Sequence, residues 1–147
     1  MPTYTVTSAN LQLSASQEAT IAAAITRSHH EATGAPAYFA QVFFDTIATG
    51  KHYIGGKAYK APHLFVRGLI RGGRNADVKA TLIKDIASKV HSIVGVGHED
   101  IWVYIQEIPA AQMVEFGRIL PEPGAEDAWR AAMTTNKLQH LKEIGAI

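Results

Sequence analysis

Leu64-Phe65-Val66-Arg67-Gly68-Leu69-Ile70-Arg71-Gly72-Gly73-Arg74-Asn75 holds the transition around which the chain is organised. An apolar run ends at Ile70, and a stripe repeating every four residues (Val78, Leu82, Ile86, Val90, Val94) begins after it. That change of period reads as strand, turn and helix. Backbone N–H groups at a helix start point at whatever lies in front, and Gly72-Gly73 let an anion approach closely. Arg71 and Arg74 add planar, forked donors that suit a carboxylate or a phosphate. On these residues alone the stretch is either an anion cradle or a plain turn carrying two solvated arginines.

Working outward, Gly95 and Gly97 end that helix and Ile101 to Ile108 reads as the next strand. Trp102, Tyr104 and Gln106 lie on one of its faces, and Ile101, Val103 and Ile105 on the other. Upstream, Pro2 to Val6 alternates with threonines and reads as a strand. Ser14 to Gln17 has the form of a capping box, opening a helix that runs to about His30 before Gly34 and Pro36 stop it. Ile21, Ile25 and His29 share its apolar stripe, while His30 points about 100° away. Tyr38 to Phe44 is expected to be a strand covered on both faces, because Val42-Phe43-Phe44 is apolar at successive positions. The connection over residues 46–62 has room for a short strand at Tyr53-Ile54.

Two strand–helix–strand units are therefore expected, from Pro2 and from about His63, with a spacing that suggests an internal duplication. They predict an α/β fold of the α+β kind: a four-stranded sheet with both helices on one face. The other face then needs cover, from oligomerisation or from the C-terminal segment. After Pro109, residues 112–120 read as a short strand or extended arm. A C-terminal helix is expected from about Glu126 to Leu141, with Trp129 and Met133 on one side. At 147 residues the expected organisation is a single domain over 1–147.

Bulk properties narrow the function. Formal net charge is +1 with no basic stripe, which argues against nucleic-acid binding. Cysteine is absent, so disulfides and thiolate chemistry are excluded. The first seventeen residues carry no charge but lack the basic start and apolar core of a signal peptide, and no apolar stretch is long enough to span a bilayer. A soluble cytoplasmic protein, free of membrane, is the expectation. The seven histidines show no metal-ligand spacing: His29-His30-Glu31 lacks the His-Glu-x-x-His pattern. Nucleotide-loop and nucleophile-elbow motifs are missing too. Neither a metal nor any other cofactor is expected.

Pro2 stands apart. Initiator methionine is generally removed ahead of proline, which would leave Pro2 as the N-terminus with a free secondary amine. An α-amino group titrates at roughly 7.7–8.0, so modest perturbation moves it across neutrality, where it can act as general base or general acid. The alternative is that Pro2 simply begins a strand.

Taken together, Pro2, His29, Arg71, Arg74, Tyr104 and Glu115 resemble the active-site set of the cis-3-chloroacrylic acid dehalogenase family of the tautomerase superfamily. The resemblance runs from Pro2 to about Gly124 and is strongest at 69–77, Ile101-Trp102-Val103-Tyr104 and 112–118. It implies a tautomerase-like fold of two fused β-α-β units, a homotrimer with sites built around the N-terminal prolines, and cofactor-independent addition of water to a small unsaturated carboxylate. By that resemblance Arg71 and Arg74 hold the substrate carboxylate with help from His29, Glu115 oriented by Tyr104 activates water, and protonated Pro2 delivers a proton. Two cations there would also draw electron density from the multiple bond. Arginines lower the proton affinity of Pro2 and Glu115 raises it. A charged Pro2 suits hydration or dehalogenation, and a neutral one suits enol–keto tautomerisation of the phenylenolpyruvate type. A non-catalytic binding or assembly module is the third reading.

Overall fold

The computed structural model describes residues 2–144. Strand β1 (Thr3–Ala9), helix α1 (Ala15–Thr33) and strand β2 (Gln41–Ile47) form the first unit, followed by a hairpin of β3 (Tyr53–Ile54) and β4 (Lys57–Ala58). The second unit is β5 (His63–Arg71), α2 (Ala76–Val94) and β6 (Ile101–Ile108), followed by a hairpin of β7 (Val114–Glu115) and β8 (Arg118–Ile119). Two short helices, α3 (Glu126–Ala131) and α4 (Thr135–Glu143), come last.

Local chemistry sets the helix ends. Ser14 Oγ accepts the Gln17 N–H at 3.2 Å while Gln17 Oε1 accepts the Ser14 N–H at 3.0 Å, the reciprocal capping box expected from sequence. Asn75 Oδ1 caps α2 by accepting the Val78 N–H at 2.8 Å. Both helices stop at a left-handed glycine, Gly34 at φ 69° and Gly95 at φ 71°.

The sheet order is β2-β1-β5-β6, with β1 parallel to β2, β5 parallel to β6, and β1 antiparallel to β5. Both crossover helices pack on one face, where Tyr4, Val6, Ile21, Ile25, Leu64, Val66, Leu82, Ile86 and Val90 are fully buried. The duplication is explicit. Both helices are 19 residues long, and α2 starts at an offset of 61 from α1 (76 less 15). The two hairpins keep the same offset. The β1–β5 register is symmetric about Val6↔Val66, with Thr3↔Leu69 and Ala9↔His63 equally far on either side. An approximate twofold axis thus relates the halves, and Pro62 precedes β5 as Pro2 precedes β1.

Four expectations need correction. Tyr38 and Phe39 are not in a strand: Ala37–Phe39 is a single 3-10 turn, and β2 begins at Gln41. Pro36 enters that turn with fixed φ, and Phe39 packs its ring on Trp129 at 5.6 Å instead of joining the sheet. Nor is β2 covered on both faces, since Phe43 is 53% exposed. The C-terminal helix is two helices. Thr134 is extended (ψ 154°) between them, within a Thr-Thr-Asn run of poor helix formers, and Met133 is buried at the break. The segment at 112–120 is a tight hairpin whose turn, Phe116-Gly117, has positive φ at both positions.

The C-terminal helices do not cover the open face of the sheet. Trp129, Met133 and Leu141 form a second core with Tyr38, Phe39, Ala110 and Leu120, at the end where β2 starts and β6 stops. Trp102 and Tyr104 stay exposed on the open face. Among the described residues, no helix is long and apolar enough to cross a membrane.

Candidate active site

The antiparallel β1–β5 pairing sets the start of β1 beside the end of β5, so that Pro2 and Arg71 meet at one end of the sheet. The Pro2 side chain is fully buried and its carbonyl accepts the Gln41 N–H at 3.1 Å. His29 reaches the same end from α1. It is 6% exposed, and its Nδ1 lies 2.9 Å from the hydroxyl of the fully buried Tyr4. Burial, then the positive charges of Arg74 and Arg71, push His29 down to about 3, so its ring is neutral at physiological pH. Burial raises the Tyr4 phenol and keeps it protonated.

The two arginines differ. Arg71 is buried, donating from Nη1 to the Pro121 carbonyl at 2.6 Å and from Nη2 to the Glu126 carboxylate. Arg74 is half-buried, and its guanidinium makes no hydrogen bond or ion pair among the described residues; only its backbone N–H is engaged, by Glu107 Oε1 at 3.2 Å. Burial and the charge of Arg71 lower the proton affinity of Arg74. Arg74 lines a cavity of about 320 Å³ with Thr33, Gly34, Pro36, Gly124 and two acidic residues, Glu126 and Asp127.

Glu115 is presented by the β7–β8 turn. Phe116 follows it at φ 52°, a left-handed conformation uncommon for a bulky residue, and is held there by packing on Phe39 at 6.2 Å. Glu115 is half-buried and lines a cavity of about 560 Å³ with Tyr38, Gln41 and Phe116. Burial raises its carboxyl while the positive charge of Arg71 pulls it back. Five of the six candidates, Pro2, His29, Arg71, Arg74 and Glu115, therefore converge. Tyr104 does not. It is 56% exposed on the open face, edge-on to Phe65 at 5.0 Å and stacked on Trp102 at 6.4 Å. The expected Tyr104–Glu115 pairing is not made within one chain, because β6 directs Tyr104 away from the helices and onto the open face of the sheet, where it stays exposed.

The duplication shows why one end is chemically distinct. At the offset of 61, Arg71, Arg74 and Glu115 correspond to Asn10, Leu13 and Ile54. Asn10 donates to the Tyr59 and Ala61 carbonyls at 2.9 and 3.2 Å, much as Arg71 donates to Pro121. Glu126 was not anticipated as a site residue: it lies 55 positions beyond Arg71, at the start of α3 after a Pro/Gly-rich turn that carries no motif. Among the described residues, no cluster of three or more His, Cys, Asp and Glu side chains is arranged to hold a metal.

Comparison with known proteins gives the family of the chain. Residues 1–136 match the family described as "Putative oxalocrotonate tautomerase enzyme". The chain is 32% identical to N1, a crystallised member of the cis-3-chloroacrylic acid dehalogenase (cis-CaaD) family, over 96% of this chain and 99% of that one, with a TM-score of 0.90. Native Ps01740 is 27% identical over 77% and 99% of the two chains, at a TM-score of 0.72. A fused 4-OT solved as a symmetric trimer shares the fold at 20% identity, over 80% and 94% of the two chains, at a TM-score of 0.72. No curated protein sequence matches the chain. The chain belongs to the tautomerase superfamily and, by its likeness to N1 along nearly its whole length, to the cis-3-chloroacrylic acid dehalogenase family.

Proposed function

We propose that the chain, a single catalytic domain over 1–147, adds water to small unsaturated carboxylates such as cis-3-haloacrylates and propiolate, with Pro2 as its N-terminal amine after loss of Met1. The observation that carries this reading is the convergence of a half-buried carboxylate, Glu115, with Pro2 and a cationic turn. A carboxylate raised by burial is a competent base toward water, and its negative charge favours a protonated amine. The neighbouring cations suit the substrate carboxylate and the negative charge that develops on it during attack.

In the proposed reaction, Glu115 takes one proton as the water oxygen bonds to the β-carbon, and Pro2 delivers its proton to the α-carbon. With a 3-chloro substituent, the resulting chlorohydrin releases chloride and a proton, leaving malonate semialdehyde. Pro2 is then reprotonated from Glu115 or solvent. Neutral His29 serves as a hydrogen-bonding partner for the substrate carboxylate rather than as a third cation, consistent with its depressed proton affinity.

Tyr104 enters this scheme only from a second copy. Exposed Phe43, Trp102 and Tyr104 on the uncovered sheet face favour self-association, and the trimer seen for a fused 4-OT supports a homotrimer here. A second reading, enol–keto tautomerisation with neutral Pro2 as base, is favoured by the oxalocrotonate tautomerase description of the matching family.

A panel of cis- and trans-3-chloroacrylate, propiolate and phenylenolpyruvate, assayed on protein whose intact mass proves loss of Met1, separates the readings. Halide release or hydration that Pro2→Ala abolishes supports the proposal. Turnover of phenylenolpyruvate alone selects the tautomerase, and undiminished hydration by Pro2→Ala refutes the proline mechanism.

A further inference from the structure

The two arginines of the Arg71-Gly72-Gly73-Arg74 turn are equal in sequence but not in the fold. Arg71 is already held. Its buried guanidinium bonds the Pro121 carbonyl and the Glu126 carboxylate, two groups on either side of the 121–126 turn. The second Glu126 oxygen accepts the Gly124 N–H at 2.8 Å, so both carboxylate oxygens are engaged. Burial opposes ionisation of Glu126, but the hydrogen bond and charge of Arg71 and the backbone N–H groups outweigh it and hold the carboxyl below its usual range. The 121–126 turn also sits directly on the cradle. A Cβ added at Gly73, which adopts φ 101°, would come within 3.1 Å of the Pro123 ring.

We propose that Glu126 is a positioning residue of this site: it clamps Arg71 and offsets its charge, leaving Arg74 to receive the substrate carboxylate and allowing Pro2 to keep its proton. The inference rests on the reading of Pro2 as the proton donor. Among the described residues, the charged groups of the site are Arg71 from β5, Arg74 from the turn, Glu115 from β7 and Glu126 from α3; around them lie Glu107 from β6 and Asp127 from α3 beside Arg74, Arg118 opposite Glu115 in the β7–β8 pair, Arg130 from α3 beside Tyr38, and Lys137 from α4 on the Phe116 carbonyl. His29 from α1 and the Tyr4 and Tyr38 hydroxyls are uncharged there at neutral pH. With Glu126 in place the charge of the clamped Arg71 is offset by its carboxylate partner. Without it, the Arg71 charge loses its offset and the site becomes more positive by one charge, which disfavours a protonated amine. A residue outside the expected catalytic set would thereby decide whether Pro2 serves as an acid or as a base.

The test is the titration of the Pro2 amine, followed by NMR on protein labelled with ¹⁵N-proline and lacking Met1. Wild type, Glu126→Gln and the double variant Arg71→Gln/Glu126→Gln are compared, with thermal melting of each as a check on folding. Glu126→Gln keeps a hydrogen-bond acceptor for Arg71 but removes the charge. It is expected to lower the Pro2 pKa by about one unit, and the double variant to restore it. An unchanged Pro2 titration in Glu126→Gln overturns the proposal and leaves Glu126 a structural clamp only. Should Glu126→Gln not fold, Arg71→Gln against the double variant makes the same comparison: Pro2 should titrate higher in Arg71→Gln, and equal values overturn the proposal. These readouts need no turnover. If wild type processes none of the panel acids, the proposed function fails while the assignment of Glu126 is still decided.

Discussion

His29 offers a prediction whose size follows from its surroundings. In the folded chain its proton affinity falls from the usual 6.5 to about 3, chiefly through burial and then through Arg74 and Arg71. In the unfolded chain it returns to 6.5. Below that pH the unfolded state therefore binds a proton that the folded state refuses, and stability declines as pH falls from about 6.5 toward 3. Between pH 7 and pH 5 the difference amounts to about 2 kcal/mol, a figure that holds for any folded value well below 5. The perturbation is His29→Gln, which removes the titration but keeps an oxygen that can accept from the Tyr4 hydroxyl. Urea unfolding of both proteins at pH 7 and pH 5 isolates the effect, because other groups, including the raised Glu115, contribute to both. Wild type should lose about 2 kcal/mol more than the variant over that interval. Equal losses would show that His29 is accessible to protons in the folded protein, and the account of a neutral imidazole in the site would be wrong.

Arg74→Ala should leave the fold intact, since its guanidinium makes no hydrogen bond or ion pair among the described residues. It should raise KM for carboxylate substrates about 10- to 100-fold, the worth of a charged hydrogen bond; steady-state kinetics with an unchanged KM would remove Arg74 from substrate binding. Co-expressing Glu115→Gln and Tyr104→Phe chains should recover activity at about a quarter of the sites of a mixed trimer, although each variant alone is impaired. Recovery no greater than the sum of the two parents would mean that Tyr104 does not act across a subunit boundary. Gly68→Ala should destabilise by about 1–3 kcal/mol in urea unfolding, because its Cβ would lie 2.5 Å from the Tyr4 ring and 2.8 Å from Ile105 Cδ1.

Much of the fold was legible because its signals are local. The capping box at Ser14, the stripe from Leu82 to Val90 and the alternation along Ile101–Ile108 each follow from neighbouring residues, and each appears where expected. The misread segments are those where distant packing decides. Tyr38 and Phe39 look like strand residues but are drawn into a turn by Trp129, and Met133 is buried at a helix break that its apolar spacing concealed.

For the candidate site, sequence by itself supplied the residue types: an N-terminal proline, a paired-arginine turn, a histidine on an apolar helix face and an acidic residue on the arm. It could do so because strand and helix periods fix which side chains share a face. Only the tertiary structure decided which of them meet. Antiparallel pairing of β1 with β5 joins Pro2 to Arg71, the open sheet face carries Tyr104 away from Glu115, and the 121–126 turn brings Glu126 onto Arg71. Those relations depend on strand order and on contacts far apart in the chain. In an interior of low dielectric such contacts set the balance of charge around Pro2, a quantity that no local pattern encodes.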